Sequence, residues 1–407
     1  MSELFWIDDL TKKTYADLIH DLNHFKSASG IIFEKEPYWV FLKMLHSAVN
    51  EYPVTLLDGG FTKEELVING VFDNEQEKAV HGKWRQFDSW ADIKKQILNS
   101  SKTWQMTLLT SGTTGVPKKI THSIQSLTKA VKIFDTKKAD IWGFAYNPAH
   151  MAGLQVFWQA FLNQNPMINV FRKSADQVKE EIQKYKITHI SATPTFYRLI
   201  WDKNEQFPSV RHISSGGERF PSDLKVKLLQ MFPNARIRNI YASTEAGSLF
   251  AADGEYFHIP ERLQTRVRIE GDELLIHKEI IGSSDDFQCT GDWYHTGDIV
   301  EAEMRDSGVF FKFLHRKNEM INVGGSKVNP LEIEQELCRI NGIKNAKVYG
   351  KDNSVTGKIL CADVSGKNIN EKEIRKILSD RLNPVNIPRI IQFVDKIEQT
   401  RTGKLQR

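Results

Sequence analysis

The chain has 407 residues, 40% of them apolar, and a formal net charge of +4. That length exceeds what one core organises, so two or three domains are expected, and the apolar share suffices for ordinary globular cores. The charge is small and the basic residues are spread rather than clustered, which leaves no basic face for nucleic acid. No segment approaches the roughly eighteen uninterrupted apolar residues of a membrane span. Cys289, Cys338 and Cys361 are far apart and odd in number, which fits reduced thiols better than a disulfide framework, and none has metal-ligand spacing. The opening MSELFWIDDL is acidic and amphipathic, unlike the basic start and apolar run of a signal peptide, so a cytoplasmic location is expected.

In chain order, the first clear element is WQMTLL (104–109), which reads as a short buried strand. It runs into TSGTTGVPKK, Thr110 to Lys119. Gly112 and Gly115 let the backbone turn its N–H groups toward one point. Ser111, Thr113 and Thr114 add hydroxyl donors and Lys118 a cation, while Pro117 keeps the loop from continuing as a helix. This is chemistry for gripping a polyphosphate; a solvent-exposed polar turn is the competing account. A Walker loop needs a Gly-Lys-Ser/Thr ending that is missing here, which weighs against a P-loop kinase or GTPase.

Next, IWGFAY (141–146), MINVF (167–171), THISA (188–192), RHISS (211–215) and RIRNIY (236–241) read as strands. Helical patterns near Leu154–Leu162, Asp176–Tyr185, Thr195–Trp201 and Ser222–Met231 separate them. This alternation predicts an α/β fold of parallel sheets flanked by helices, with ligand groups at the strand C-terminal ends. Three such ends open into polar loops: LLTSGTTG, ISSGGERFP and IYASTEAG. From Val267 to Phe313, short runs such as RVRIE, ELLIH and GVFFKFL with Gly-Asp turns predict a smaller antiparallel sheet or distorted barrel. Beyond Arg316 the order helix, strand, strand, helix, strand describes a small α+β lid. Its helix starts are marked by Asn329 with Pro330 and Glu332, and by Asn370 with Glu373.

Four further segments carry chemistry: YASTEAG (241–247), YHTGDIV (294–300), HRKNEMINVGGSKVNPLEIE (315–334) and TRTGKLQR (400–407). With TSGTTGVPKK they resemble, in order, the signature set of adenylate-forming enzymes, which comprise acyl- and aryl-CoA synthetases, carrier-loading adenylation domains and beetle luciferases. The resemblance runs from about Trp104 to the C-terminus; the first hundred residues match less clearly and are shorter than is usual in that superfamily. It implies an N-terminal AMP-binding domain over 1–317, shortened at its start, and a mobile C-terminal domain over 318–407.

The resemblance also implies a reaction and its residues. A carboxylate attacks the α-phosphate of ATP to give an acyl-adenylate and pyrophosphate, and both reactants are anions whose charge must be neutralised. The loop from Thr110 to Gly115, with Lys118, would hold the β- and γ-phosphates; Glu245 would bind Mg²⁺ and Thr244 the α-phosphate. Tyr241 would offer adenine a ring, although singly it reads as a core aromatic; Gly216, Gly217 and Glu218 would line the purine edge and Ala242 the pocket floor. Asp298 would accept from both ribose hydroxyls, since a carboxylate is acceptor-only, with Arg316 as a nearby cation. Lys404 would bridge carboxylate and α-phosphate, although Glu398 stands six residues before it where relatives carry proline. Asn318 falls at the hinge position, usually Asp or Lys; Gly324 and Gly325 would let a pantetheine arm pass.

YNPAHMAGLQ (146–155) resembles the acid-binding segment of acyl and aryl activators and lacks the Asp of amino-acid activators. That makes His150, Met151 and Gly153, with Gly216, candidates for the acyl pocket. The expected function is AMP-forming ligation of a carboxylic acid to coenzyme A. A phosphopantetheinyl carrier protein as acceptor and a catalytically inactive nucleotide-binding relative are the alternatives.

Overall fold

The structure, a computed structural model, describes residues 3–68, 80–99, 104–110, 118–134, 139–323, 326–353, 357–367 and 369–397. The chain opens with β1 (Leu4–Ile7), β2 (Lys12–Thr14) and α1 (Tyr15–His24), followed by β3 (Ile31–Glu34) and α2 (Pro37–Asn50). Then come β4 (Val54–Asp58), α3 (Lys63–Ile68), α4 (Trp90–Asn99), the hairpin β5 (Gln105–Thr110) and β6 (Lys118–Ser123), and α5 (Ile124–Thr128). Strand and helix alternate through β7 (Trp142–Phe144), α6 (Met151–Phe161), β8 (Met167–Asn169), α7 (Ala175–Tyr185), β9 (His189–Ala192) and α8 (Pro194–Ile200). They continue through β10 (His212–Gly216), α9 (Ser222–Met231), β11 (Arg236–Ser243) and β12 (Gly247–Ala252).

Local chemistry sets these boundaries. Thr14 with Asp17 starts α1 and Ser174 with Gln177 starts α7 as reciprocal capping boxes, while proline occupies the first turn of α2 and α8. An eight-stranded sheet has the order β12-β11-β10-β9-β7-β8-β1-β2, parallel from β11 to β1 with an antiparallel strand at each edge. A second sheet, β3-β4-β5-β6, is parallel except for β6. α2 is buried almost all round, so it belongs inside rather than on a surface. Phe41 of α2 stacks on Phe157 of α6 at 4.4 Å, and these helices share one core with Met106 and Leu108 of β5 and with Phe5 and Trp6 of β1.

An antiparallel sheet follows: β13 (Tyr256–His258), β14 (Val267–Glu270), β15 (Glu273–His277), β16 (Cys289–Thr290), β17 (Trp293–Arg305) and β18 (Gly308–Arg316). Its path β13-β18-β17-β15-β14 has unpaired ends among the described residues, so of the two expected forms it is the open sheet. The last part holds β19 (Ile321–Val323), β20 (Ser326–Val328), α10 (Pro330–Cys338), β21 (Ile343–Asn353), β22 (Gly357–Gly366), α11 (Glu371–Ser379) and β23 (Ile390–Phe393). Asn329 caps α10 and Asn370 makes a capping box with Glu373 on α11. Ile333, Leu337, Val348, Leu360, Val364, Ile374 and Leu378 form a core of their own.

Two elements differ from the sequence expectation. The segment after the glycine–threonine loop is strand β6, which the sequence reading passed over: KKITHS offers one apolar residue, and its other buried side chain is a histidine. The N-terminal residues, in which the sequence reading named no strand, supply β3 and β4, so β5 lies inside a four-stranded sheet.

His46 lies fully buried in α2, its Nδ1 2.9 Å from the Tyr52 hydroxyl, and burial lowers its pKa to about 4. The unfolded chain therefore binds a proton there between about pH 6.5 and 4 that the folded chain refuses, so stability is full above that window and lost as pH falls through it. Denaturant titrations from pH 7 to 4 should show a decline on the order of 2–3 kcal/mol from this residue, and His46→Gln should flatten that part of the curve. Parallel curves for the two proteins would contradict the assignment.

Candidate active site

The site begins at the mouth of the β5–β6 hairpin. Ser111, Gly112, Thr113, Thr114 and Gly115 lie outside the described residues, but the loop's two ends are placed: Thr110 pairs with Lys118 across the hairpin. β6 is then stitched to a distant segment, because Thr121 and Ser283 exchange two backbone bonds of 2.9 Å. Beside them, His122 Nε2 lies 2.8 Å from the Thr244 carbonyl and Nδ1 2.8 Å from Ser126 Oγ. Burial lowers the His122 pKa to about 4, so the ring is neutral near pH 7. A carbonyl can only accept, so Nε2 carries the proton and Nδ1 accepts from the Ser126 hydroxyl. A Cβ on Gly282 would stand 2.6 Å from His122 Cε1, and the Gly282 N–H donates to the Glu245 carbonyl at 2.7 Å. Only glycine fits there.

The turn between β11 and β12 carries Thr244 and Glu245. Ser243 Oγ closes it by accepting from the Ala246 N–H at 3.1 Å, and Gly247 leaves it at φ +63°. A Cβ on Gly247 would meet Gln155 Nε2 of α6 at 2.8 Å, and Gln155 Oε1 accepts from Ser248 at 2.8 Å. α6 therefore forms a polar wall beside the turn. Glu245 Oε1 accepts from the Tyr294 hydroxyl at 3.3 Å. Burial and the adjacent Glu245 push the Tyr294 phenol well up, so it stays a donor.

Asp298 is 3% exposed, and a carboxylate so buried must be bonded. Tyr241 donates to Oδ2 at 2.5 Å and Arg316 Nε to Oδ1 at 2.8 Å. The fold places these partners: Asp298 and Arg316 are opposite residues on β17 and β18, while Tyr241 lies two residues before the end of β11. Gly297, at φ +72°, bends β17 at this point, and its N–H donates to Glu273 at 2.9 Å. Asp298 raises the Arg316 pKa further, and burial with Asp298 raises that of Tyr241. Each carboxylate oxygen accepts one described donor, which leaves lone pairs for a ligand's hydroxyls.

Tyr241, Glu245, Asp298 and Arg316 thus share one electrostatic neighbourhood. The Tyr241 ring is 9% exposed and packs against Phe250, Phe257 and Phe311, which supports the core-aromatic account of it and leaves little ring face for a purine. Ala242 is half-buried at a register shift in β11. A Cβ on Gly216 would stand 2.9 Å from the Ile240 carbonyl, and Gly217 is left-handed at φ +83°. Glu218 is bound to the start of α8, accepting from Thr195 N–H at 3.1 Å and Oγ1 at 2.7 Å. Met151 is core, and a Cβ on Gly153 would meet the Asn147 carbonyl at 2.2 Å, so that glycine answers first to packing. His150 bonds Asp58 at 3.1 Å. Asn318 sits in the turn after β18 without a left-handed backbone. Gly324, Gly325 and Lys404 lie outside the described residues.

No group of three or more potential metal ligands occurs among the described residues. The half-buried Glu245 carboxylate fits Mg²⁺ only in the manner of one protein oxygen supplemented by substrate phosphates and water. His122, Gly282 and Asp58 border the candidate site and were missed by the sequence reading, while Tyr294 and Gln155 fell in the segments YHTGDIV and YNPAHMAGLQ without being assigned a part. The alternation of KKITHS, which sends His122 to the same face as Ile120, was the one available signal.

A family model described as AMP-binding enzyme matches residues 33–269, and one described as AMP-binding enzyme C-terminal domain matches 332–404. The chain is 23% identical over 361 residues to oxalate–CoA ligase of Arabidopsis thaliana, covering 79% of this chain and 69% of that protein. It is 26% identical over 388 residues to 2-succinylbenzoate–CoA ligase of Staphylococcus aureus, covering 87% and 76%. Among solved structures it is similar to o-succinylbenzoate CoA synthetase from Bacillus subtilis in complex with an acyl-adenylate intermediate, with TM-score 0.70, 18% identity and coverage of 99% and 94%. ATP-bound MatB from Rhodopseudomonas palustris gives TM-score 0.70 at 16% identity, covering 100% and 94%. These two likenesses are of fold.

His122→Ala leaves the Thr244 carbonyl without its donor, and urea denaturation should show a loss of about 1–3 kcal/mol. His122→Gln, which can still donate, should recover part of it. Equal stability of His122→Ala and the parent would remove the bond from the account.

Proposed function

The chain belongs to the AMP-binding enzyme family, and we propose that the residues gathered around Glu245 and Asp298 perform its ATP-dependent ligation of a carboxylic acid to a thiol. As an AMP-forming acid–thiol ligase it joins acid and ATP into an acyl-adenylate with release of pyrophosphate; the thiol of coenzyme A then displaces AMP. The observation that carries the site reading is the anchored pair of carboxylates. Asp298 is fixed by Tyr241 and Arg316, and Glu245 by Tyr294, where β11 ends against the antiparallel sheet.

Asp298 receives the ribose diol on its remaining lone pairs, and Arg316 beside it faces the nucleotide's negative charge. Thr244 donates to the α-phosphate, and Thr110 to Gly115 with Lys118 hold the outer phosphates at the hairpin mouth. Mg²⁺, when held by Glu245, supplies neutralisation of phosphate charge. Gly216, Gly217 and Glu218 border the purine through backbone, since the Glu218 carboxylate is committed to Thr195. Lys404 completes the transition state, carried on a domain 318–407 that turns about Asn318 and brings Gly324 and Gly325 over the acceptor's pantetheine arm. Free thiols at Cys289, Cys338 and Cys361 suit a cytoplasmic enzyme, and no helix among the described residues is long and apolar enough to cross a membrane.

The acid is short or planar. Ala242 adds a methyl at the pocket floor, and the Gln155–Ser248 pair makes the adjoining wall polar, which suits hydrogen-bonding acids and opposes a long alkyl chain. The acids in the two relatives' names, oxalate and 2-succinylbenzoate, are of that kind.

Acid-dependent exchange of labelled pyrophosphate into ATP tests the first half-reaction. Lys404→Ala should lose it by about a hundredfold or more. Asp298→Asn should weaken ATP by about tenfold, near 1.4 kcal/mol. Benzoate-type and short-chain acids should outcompete palmitate in the same assay. Exchange that survives in Lys404→Ala, or a preference for palmitate, would overturn the respective statements.

A further inference from the structure

Asp58 ends β4 and is 5% exposed. Its Oδ1 accepts from the Gly60 N–H at 2.8 Å, and its Oδ2 from Asn147 Nδ2 at 2.9 Å, while His150 Nε2 lies 3.1 Å from the same Oδ2. β4 belongs to the four-stranded sheet, whereas Asn147 and His150 follow β7 in the eight-stranded one. This carboxylate therefore ties the C-terminal ends of the two sheets together, where ligands of open α/β folds bind. Leu56 is opposite Leu108, so continuing that register sets Asp58 level with Thr110, the residue before the glycine–threonine loop.

A buried negative charge at that place needs a reason. It opposes phosphate binding, and an asparagine of equal size could bridge the sheets without it. The charge has an ionisable partner in His150, and among the described residues Asp58 is the one charged group within ion-pair range of that ring. A carboxylate can only accept, so Nε2 carries the proton and Nδ1 is the basic nitrogen. Among the described residues Nδ1 has no hydrogen-bond partner, and the side chain keeps 25% of its surface open. The ring stands at the start of α6 without capping it. The segment beneath it is rigid: Asn147 Oδ1 accepts from the Ala149 N–H at 2.9 Å, and Gly153 packs on the Asn147 carbonyl. Base, orienting carboxylate and open nitrogen are arranged as in nucleophile activation by a histidine.

We propose that His150, oriented by Asp58, takes the proton of the acceptor thiol in the second half-reaction; this rests on the function proposed above. As sulfur forms its bond to the acyl carbon, the bond from that carbon to the AMP phosphate oxygen breaks and AMP leaves with the electron pair. The thiol proton moves to Nδ1, and the Nε2–H stays on Asp58, whose charge stabilises the imidazolium. His150 is the catalytic residue of this step and Asp58 a positioning residue.

The two half-reactions are measured separately on the full chain: pyrophosphate exchange for the first, and single-turnover thioester formation from bound acyl-adenylate and coenzyme A for the second. Asp58→Asn should slow thioester formation about a hundredfold more than it slows exchange, and the pH profile of thioester formation should lose its rising limb. His150→Ala should show the same split, and added imidazole should restore part of its thioester rate. An equal fall of both half-reactions, an unchanged pH profile or no response to imidazole would reduce the pair to a structural tie. Absence of exchange with any acid in the parent protein would instead remove the ligase reading on which the proposal rests.

Discussion

Three stretches of chain far apart in sequence cross at the His122 ring, and the site exists because they do. The neutral imidazole donates to the Thr244 carbonyl, Gly282 lies flat against the ring, and the Gly282 N–H holds the carbonyl of Glu245. The returning strand of the hairpin, the turn that carries Thr244 and Glu245, and the segment entering the antiparallel sheet are thereby fixed to one another. A charged ring could still donate to both neighbours, because the Ser126 hydroxyl accepts as well as donates, so it is burial and not the bonding pattern that opposes the charge. Burial keeps the ring neutral, so packing and hydrogen bonding enforce the same geometry.

Around that crossing the protein handles charge by placement. The described acids at the site are each held by defined donors: Glu245 by the Tyr294 phenol, Asp298 by the Tyr241 phenol and the Arg316 guanidinium, Asp58 by the Asn147 amide and His150. Negative side chains near a polyanionic substrate would repel it unless each has a defined task, and the function proposed above gives one to each. Asp298 keeps lone pairs for hydroxyls, Glu245 is half-buried with an oxygen available to a cation, and Asp58 faces a histidine rather than the phosphates.

Much of this was legible in the sequence where meaning is local. Capping residues such as Asn370 with Glu373 announced their helices, and the strand ends at Gly216 and Ser243 were visible as polar loops closing apolar runs. What stayed hidden depends on distant neighbours. His122 is an unremarked histidine until Thr244 arrives 122 residues later, and Asp58 is an ordinary acid in a Leu-Asp-Gly-Gly turn until it meets His150 92 residues on. β6 was missed because its alternation is written with a histidine in place of a second apolar residue, and Tyr241 had two readings because a strand-end aromatic can serve a core and a carboxylate at once.

The central claim is that carboxylate oxygen and α-phosphate are joined at this site before the thiol enters. An acid labelled with ¹⁸O in its carboxylate, turned over with ATP and coenzyme A, tests it directly when the products are read by mass spectrometry. The account predicts that label from the acid appears in the phosphoryl group of AMP and that none appears in pyrophosphate. Label in orthophosphate, or AMP free of label while thioester accumulates, would contradict it.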